Sequence, residues 1–316
     1  MDIQSVCIVG GTGFVGRSIA EQAVGRGLRV RVLTRSEPRA KNLLVLPTLE
    51  VMVADPHDEK ALQRAFDDMD AVVSLAGILH EGGHATFERV HAELPRKIVK
   101  ACNASGVQQL LHMSALGADP AGPSDYQRSK AAGESAVREA GATLAWTIFR
   151  PSVIFGEHDH FLNLFASLVR LFPVVPLGGA KARFQPVWVE DVARAFVGSL
   201  GDGEVAGRTF ALCGPSVYTL AQLVEFVAAS VGRRPIVVPL APAAASLQAF
   251  FLEHLPGKLM TRDNLASMRV DNVCADPWPR HLGFSPSSLE AVVPEYLADA
   301  TSRAKYPRYR HFAGRG

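Results

Sequence analysis

The 316-residue sequence predicts an α/β fold, a doubly wound parallel sheet with a smaller C-terminal α/β lobe. Three observations carry this. Short β-rich runs alternate with helical patterns through the first half. These runs are apolar throughout, as strands covered on both faces must be, instead of alternating. The first run ends at a cluster of glycines that opens a helix.

The elements follow in order. "SVCIVG" leads into the helix of "GRSIAEQAVGRG", and then come the strands "RVRVLTR" and "LEVMVAD". A helix over "EKALQRAFDDM" precedes the strand "AVVSLAG", and a helix around "AELPRKIVKACNASG" precedes the strand "QLLHMSA". The helix of "DYQRSKAAGE" then feeds the strand in "LAWTIFRPSVIFG". Beyond Gly156 the rhythm breaks. "HFLNLFASLVRLF" reads as an amphipathic helix, followed by the Pro/Gly-rich "PVVPLGGAKARFQP". "VWVEDVARAFVGSL" reads as a strand and helix returning to the main sheet, and "TLAQLVEFVAASVG" and "AASLQAFFLEHL" as further helices. Residues 1–155, with 186–200 returning, are expected to form the larger domain, and 156–316 a smaller substrate or partner lobe.

A hydrophobic share of 48% and a charged share of 20% describe a globular chain with a good core. A formal charge of +2 argues against a general nucleic-acid binder. The terminal "SRAKYPRYRHFAGRG" differs, holding Arg303, Lys305, Arg308, Arg310 and Arg315 with no acid. It reads as a solvated tail; contact with an acidic partner or lipid headgroups is the competing reading. Cys7, Cys102, Cys213 and Cys274 show no CxxC spacing, so neither a disulfide framework nor a zinc site is expected, and a cytoplasmic location follows. No signal peptide is expected. No transmembrane segment is expected either, because the apolar regions 161–178 and 235–252 are interrupted by Arg170, Pro173 and Pro176, and by Pro239, Pro242 and Gln248.

In "VCIVGGTGFVGRSIAEQA", Gly10, Gly13 and Gly16 stand at the first strand–helix junction. Gly10 permits the tight turn, Gly13 lets backbone approach a pyrophosphate, and Gly16 allows close helix–strand packing. The helix N-terminus offers unpaired N–H groups and a positive dipole end to phosphate. Together they predict a Rossmann-type dinucleotide site. The second strand ends at Arg35, with Arg39 and Lys41 nearby, where an NAD site would present an acid. A guanidinium suits a 2′-phosphate, so NADP(H) is favoured over NAD(H). Asp55, after the third strand, is expected to meet the adenine amine. Ala76 and Gly77, after the fourth, leave room for the adenosine ribose.

Tyr126 and Lys130 are one helical turn apart on one face. A phenol beside an ammonium makes a proton donor or acceptor near neutral pH.

These residues resemble the short-chain dehydrogenase/reductase superfamily, in its extended branch. The carriers are Gly10-Gly11-Thr12-Gly13-Phe14-Val15-Gly16, Asp55, "SLAG", Tyr126-x-x-x-Lys130, "RPSVIFG" and "VWVEDVARA". "RPSVIFGEHDHFLNLFASL", "RFQPVWVEDVA" and "MTRDNLASMRVDNV" look like an atypical subgroup, containing the NAD(P)H-holding accessory subunit of respiratory complex I and bacterial relatives labelled nucleotide-sugar epimerases. The resemblance implies cofactor contacts from Gly10, Thr12, Gly13, Phe14, Val15 and Gly16, and from Pro151 and Val153 near the nicotinamide. It makes Tyr126 the acid/base, Lys130 a ribose ligand that lowers the tyrosine's pKa, and Ser114 an auxiliary donor. Ala115 stands where the catalytic hydroxyl usually sits, and His91 where an asparagine is usual. Substrate is expected near Tyr126. The chain thus reads as an NADP(H)-dependent oxidoreductase or epimerase-type enzyme. The alternative it implies is a non-catalytic NADPH-holding protein with respiratory or quinone-related partners, peripheral to the inner membrane.

"HEGGH", His80 to His84, satisfies a zinc-protease pattern, but its paired glycines oppose a helix, so a Gly-hinged loop is expected and no metal. "HDH", His158 to His160, reads as a polar entrance to the substrate cleft. The helix around Phe250 and Phe251 reads as small-lobe core, with a surface for a membrane, a quinone or a partner subunit as its alternative.

Overall fold

The computed structural model describes residues 1–141, 143–255 and 258–297. Its chain divides into two compact units, one of Met1–Ser152, Val189–Cys213 and Cys274–Ser285, the other of Val153–Trp188, Gly214–Val273 and Pro286–Gly316.

The first unit is built on seven strands: β1 (Ser5–Val9), β2 (Arg29–Thr34), β3 (Leu49–Val53), β4 (Ala71–Ser74), β5 (Gln109–Met113), β6 (Ala145–Pro151) and β11 (Arg208–Leu212). They form one sheet in the order β11-β6-β5-β4-β1-β2-β3, and every pairing is parallel. β1 lies between β2 and β4, with Val6 opposite both Val30 and Ala71. The strand order reverses there, and sheets of this kind receive ligands at such a switch point, beyond the carboxyl ends of the strands. β1 and β4 are buried at every residue, which explains their unbroken apolar runs.

α2 (Glu59–Phe66), α3 (Leu94–Ala104) and α4 (Asp125–Arg138) pack side by side, over a core that includes Cys7, Phe66, Leu94, Ile98, Leu110 and Ile148. α1 (Phe14–Gly25) packs on α6 (Val189–Gly198). Glu190 ties the pair together, accepting from the Ser18 hydroxyl at 2.7 Å and from Gln22 Nε2 at 2.8 Å.

The helix of "VWVEDVARAFVGSL" therefore joins the first unit, but its strand does not join the main sheet. Val187–Trp188 (β10) pairs instead with Ile154–Phe155 (β7) in a two-stranded ribbon. The seventh strand of the main sheet is Arg208–Leu212, beside β6. A second correction concerns the cysteines. Cys213, directly after β11, is disulfide-bonded to Cys274 with Cα atoms 6.1 Å apart. The chain leaves the first unit after Cys213 and re-enters it at Cys274, so residues far apart in sequence meet. Cys7 and Cys102 are free and buried.

The second unit holds α5 (Leu162–Leu171), α7 (Leu220–Ser230) and α10 (Leu289–Leu297) around a core that includes Phe155, Phe165, Leu223, Val227 and Val293. Two more ribbons are β8 (Val174–Leu177) with β13 (Ile236–Pro239), parallel, and β9 (Arg183–Phe184) with β12 (Tyr218–Thr219), antiparallel. Asp159 of "HDH" is buried and caps α5, accepting from the amides of Phe161 at 2.7 Å and Leu162 at 2.6 Å. Phe250 and Phe251, on α8 (Pro242–Leu252), are not core: they are 43% and 62% exposed. Only alanine-sized groups of that helix are buried. The basic stretch from Ser302 onward lies outside the described residues.

Candidate functional site

The glycine junction is shaped by what a side chain would strike. Gly10 has φ +89°, and a Cβ there would meet the Ala76 nitrogen at 3.1 Å and the Leu75 carbonyl carbon at 3.2 Å. At Gly16 a Cβ would come within 2.4 Å of the Gly10 oxygen. The Gly13 amide donates to that same oxygen at 3.0 Å, closing the turn. α1 then begins at Phe14 with Gly13 extended at its N-cap and no side chain capping it. The first-turn N–H groups, among them those of Phe14, Val15 and Gly16, have no intrahelical acceptor. The Thr12 carbonyl accepts from Arg17 Nε at 3.2 Å, which steadies the loop. A cradle this tight, ending at a bare helix N-terminus beside the switch point, fits a dinucleotide's pyrophosphate.

Arg35 follows β2 directly, exposed, with no hydrogen bond or ion pair to any described residue. Asp55 follows β3, also exposed, and its Oδ1 accepts from the His57 amide at 3.0 Å. Ala76 and Gly77 follow β4, and a Cβ at Gly77 would lie 3.3 Å from Lys130 Nζ and 3.6 Å from His91 Nε2. Gly10, Gly77 and Lys130 are thus brought together. Pro151 ends β6, and its carbonyl accepts from the Leu116 amide at 2.9 Å. Val153 opens the second unit, its amide donating to Asn272 Oδ1 at 3.2 Å.

Ser124 caps α4, accepting from the Gln127 amide, so Tyr126 falls in the first turn and Lys130 in the next. Lys130 Nζ donates to the Met113 carbonyl at 3.2 Å, at the end of β5. Burial pulls the ammonium down to about 8, with Glu134 opposing. Tyr126 is half-buried, and burial pushes its phenol up to about 12. The expected lowering of Tyr126 by Lys130 is not found; the phenol stays protonated at neutral pH.

Sequence reasoning placed His91 without seeing its partners. It lies in a π-helical turn, Glu88–Glu93, and is buried. Its Nε2 accepts from the Ile78 amide at 3.0 Å. Its Nδ1 lies 2.9 Å from Ser129 Oγ, and that hydroxyl donates to the Tyr126 carbonyl at 2.8 Å. Ser129 must therefore accept from Nδ1–H, which makes His91 the neutral Nδ1–H tautomer. Burial, then the Lys130 charge, pulls His91 down to about 2. The ring lies near-parallel to Phe87, centroids 5.4 Å apart, and meets Tyr126 edge-on at 5.5 Å. The imidazole thus joins the turn after β4 to the first turn of α4.

Beneath Lys130 lies an ion pair that the sequence did not announce. Glu134 is fully buried, and Arg150 grips it with Nε–Oε1 and Nη2–Oε2 both at 2.6 Å, while Arg138 adds a contact at 2.8 Å. Burial pushes the Glu134 carboxyl up, but the Arg150 fork, the Ser114 hydroxyl dipole and Arg138 together hold it below the usual range. Ser114 Oγ itself is buried and makes no hydrogen bond of regular geometry. "HEGGH" forms a loop, with Gly82 bridged to Ala85 and Glu81 capping the Phe87 amide. No group of metal-binding side chains occurs among the described residues.

Comparison with known proteins agrees with this geometry. An NAD(P)H-binding family model matches residues 10–160. The chain is 31% identical over 308 residues to the mitochondrial NADH dehydrogenase (ubiquinone) 1 alpha subcomplex subunit 9 of Arabidopsis thaliana, covering 92% of this chain and 76% of that protein. It is 34% identical over 193 residues to the ceramide reductase of Caulobacter vibrioides, covering 61% of this chain and 59% of that protein. A solved NADPH-dependent quinone oxidoreductase of Escherichia coli, complexed with NADPH, superposes with a TM-score of 0.70 at 18% identity, over 96% of this chain and 99% of that one. That last likeness shows the fold. Cradle, sheet order and relatives agree that the chain belongs to the NAD(P)H-binding, atypical extended short-chain dehydrogenase/reductase family, with the accessory subunit of respiratory complex I among its members.

Proposed function

We propose that the chain is an NADP(H)-dependent reductase of a carbonyl substrate, with Tyr126 as the proton donor. The observation that carries this is the place of Tyr126 in the first turn of α4, one turn before Lys130, whose Nζ donates to the Met113 carbonyl at 3.2 Å and lies beside Gly77. A protonated phenol at this place can give its proton to a carbonyl oxygen as the carbonyl is reduced. Bound NADPH supplies the reducing equivalent; the chain's part is to hold the nucleotide and give a proton. Gly10, Thr12, Gly13, Phe14, Val15 and Gly16 cradle the pyrophosphate, Asp55, Ala76 and Gly77 receive the adenosine half, and Pro151 flanks the nicotinamide. Arg35, exposed at the β2 tip without a carboxylate partner, favours a 2′-phosphate. Lys130 holds the ribose, and the buried Ser114 hydroxyl, beside the Glu134 carboxylate, is the auxiliary donor to the substrate. The relative named ceramide reductase supports a reductase reading.

A second reading has its own support. Ala115 replaces the usual catalytic hydroxyl, and relatives matched over 92% of this chain are NADH dehydrogenase subunits. On that reading the protein holds NADPH without turnover and joins a respiratory or quinone-related partner. The deciding experiment is to purify the protein, identify any nucleotide it carries, and present apolar ketones, nucleotide sugars and quinones in turn. Consumption of bound NADPH by one class supports the reductase; NADPH retained against all three supports the holding role.

A further inference from the structure

One helix of the second unit is inside out. In α8 the buried residues are Ala245 and Ala249, whereas Leu247 is 58% exposed and Phe250 and Phe251 are exposed with it. A helix lying on a globular core shows the reverse, large apolar groups inward and small or polar groups outward. The neighbouring ribbon repeats the pattern. Val174 pairs with Ile236 and Pro176 with Val238, so these four share one face, and all are exposed, Ile236 by 65%. α8 is tied to this ribbon, since Gln248 Nε2 donates to the Pro176 carbonyl at 2.8 Å.

Three arginines lie next to these elements. Arg233 and Arg234 directly precede β13, and Arg170 sits at the end of α5, just before exposed Leu171 and Phe172. Among the described residues none of the three is paired with a carboxylate. Glu253, beside α8, is neutralised by Arg262 at 2.7 Å. Arg170 Nη2 donates to the Leu297 carbonyl at 3.3 Å, so the described chain ends next to this rim. From there to Gly316 the sequence carries Arg303, Lys305, Arg308, Arg310 and Arg315, with Asp299 as its one acid.

We propose that this face of the second unit docks on an anionic lipid surface. Phe251, Leu247 and Ile236 enter the boundary between headgroups and acyl chains, and Arg170, Arg233 and Arg234 meet lipid phosphates. Unpaired guanidiniums beside exposed aromatic and aliphatic groups match phosphates lying above acyl chains. Among the described residues no helix is long and apolar enough to cross a membrane, so the attachment is peripheral. The proposal is independent of whether Tyr126 turns substrate over.

The test is co-sedimentation of the full chain with vesicles of phosphatidylcholine alone and of phosphatidylcholine mixed with phosphatidylglycerol. The expected result is sedimentation with the mixed vesicles, released by salt. Arg233→Glu with Arg234→Glu should weaken it roughly thirtyfold or more. Leu247→Ser with Phe251→Ser should abolish it while leaving the melting temperature unchanged, because those side chains face outward. Sedimentation unaffected by either pair overturns the proposal. So does a wild-type chain that ignores both vesicle types, including one that forms a dimer which the Leu247 and Phe251 changes dissolve.

Discussion

The Ile78 amide donates to Nε2 of His91 across 3.0 Å, and that single bond fixes the protonation state of a buried imidazole. A ring whose Nε2 accepts and whose Nδ1–H donates to Ser129 has no room for a second proton. Nitrogen-resolved NMR of the imidazole should show the Nδ1–H tautomer, unchanged from pH 8 down to pH 5. Because the folded value near 2 lies below the unfolded value near 6.5, the unfolded state takes up a proton that the folded state refuses. Stability is therefore lost as pH falls below about 6.5, and His91→Gln should flatten part of that loss in denaturant midpoints measured across the range. An imidazolium signal at pH 6 would contradict the assignment.

Gly16→Ala puts a methyl within 2.4 Å of the Gly10 oxygen and should destabilise the protein by about 3 kcal/mol while weakening NADPH binding. Gly25→Ala, at a position with nothing within 4 Å of the new methyl, should raise stability by about 0.5–1 kcal/mol. Thermal melts of both, with NADPH fluorescence titration, check the pair.

Arg35→Asp should weaken NADPH binding by more than tenfold and leave NADH nearly unchanged. Equal weakening of both nucleotides would remove Arg35 from the 2′-phosphate site. The melting temperature should stay put, since the side chain is exposed and makes no hydrogen bond or ion pair to a described residue.

The Cys213–Cys274 bond closes a span of 61 residues in the sequence. By chain entropy a loop of this length is worth up to about 4 kcal/mol. Cys213→Ser should lower the denaturant midpoint, and dithiothreitol should do the same to the wild type without further effect on the variant. A midpoint identical in all four conditions would argue that the bond is absent in solution.

The parts of the molecule legible in advance are those whose chemistry is local. Gly10, Gly13 and Gly16 shape the first strand–helix turn, and Tyr126 and Lys130 lie one turn apart on α4, so position along the chain was enough to place them. The disulfide was hidden because Cys213 and Cys274 are 61 residues apart and meet only in the folded chain. His91 was visible as a residue but not as a link, because Ile78 and Ser129 lie on separate elements. Phe250 and Phe251 were misplaced because α8 is apolar around most of its circumference, and composition cannot say which side of such a helix is covered. Val187–Trp188 was misassigned for a similar reason: two residues are too few to reveal which strand they pair with.

The central claim is that Tyr126 donates a proton to a reducible substrate in a chain loaded with NADPH. The direct measurement is a single-turnover decay of NADPH absorbance with a carbonyl substrate that the wild type consumes, compared with Tyr126→Phe. The account predicts a rate at least about a hundredfold slower in the variant, with NADPH affinity within a factor of about two. Equal rates in the two proteins, or NADPH left intact by every carbonyl offered to the wild type, would contradict it.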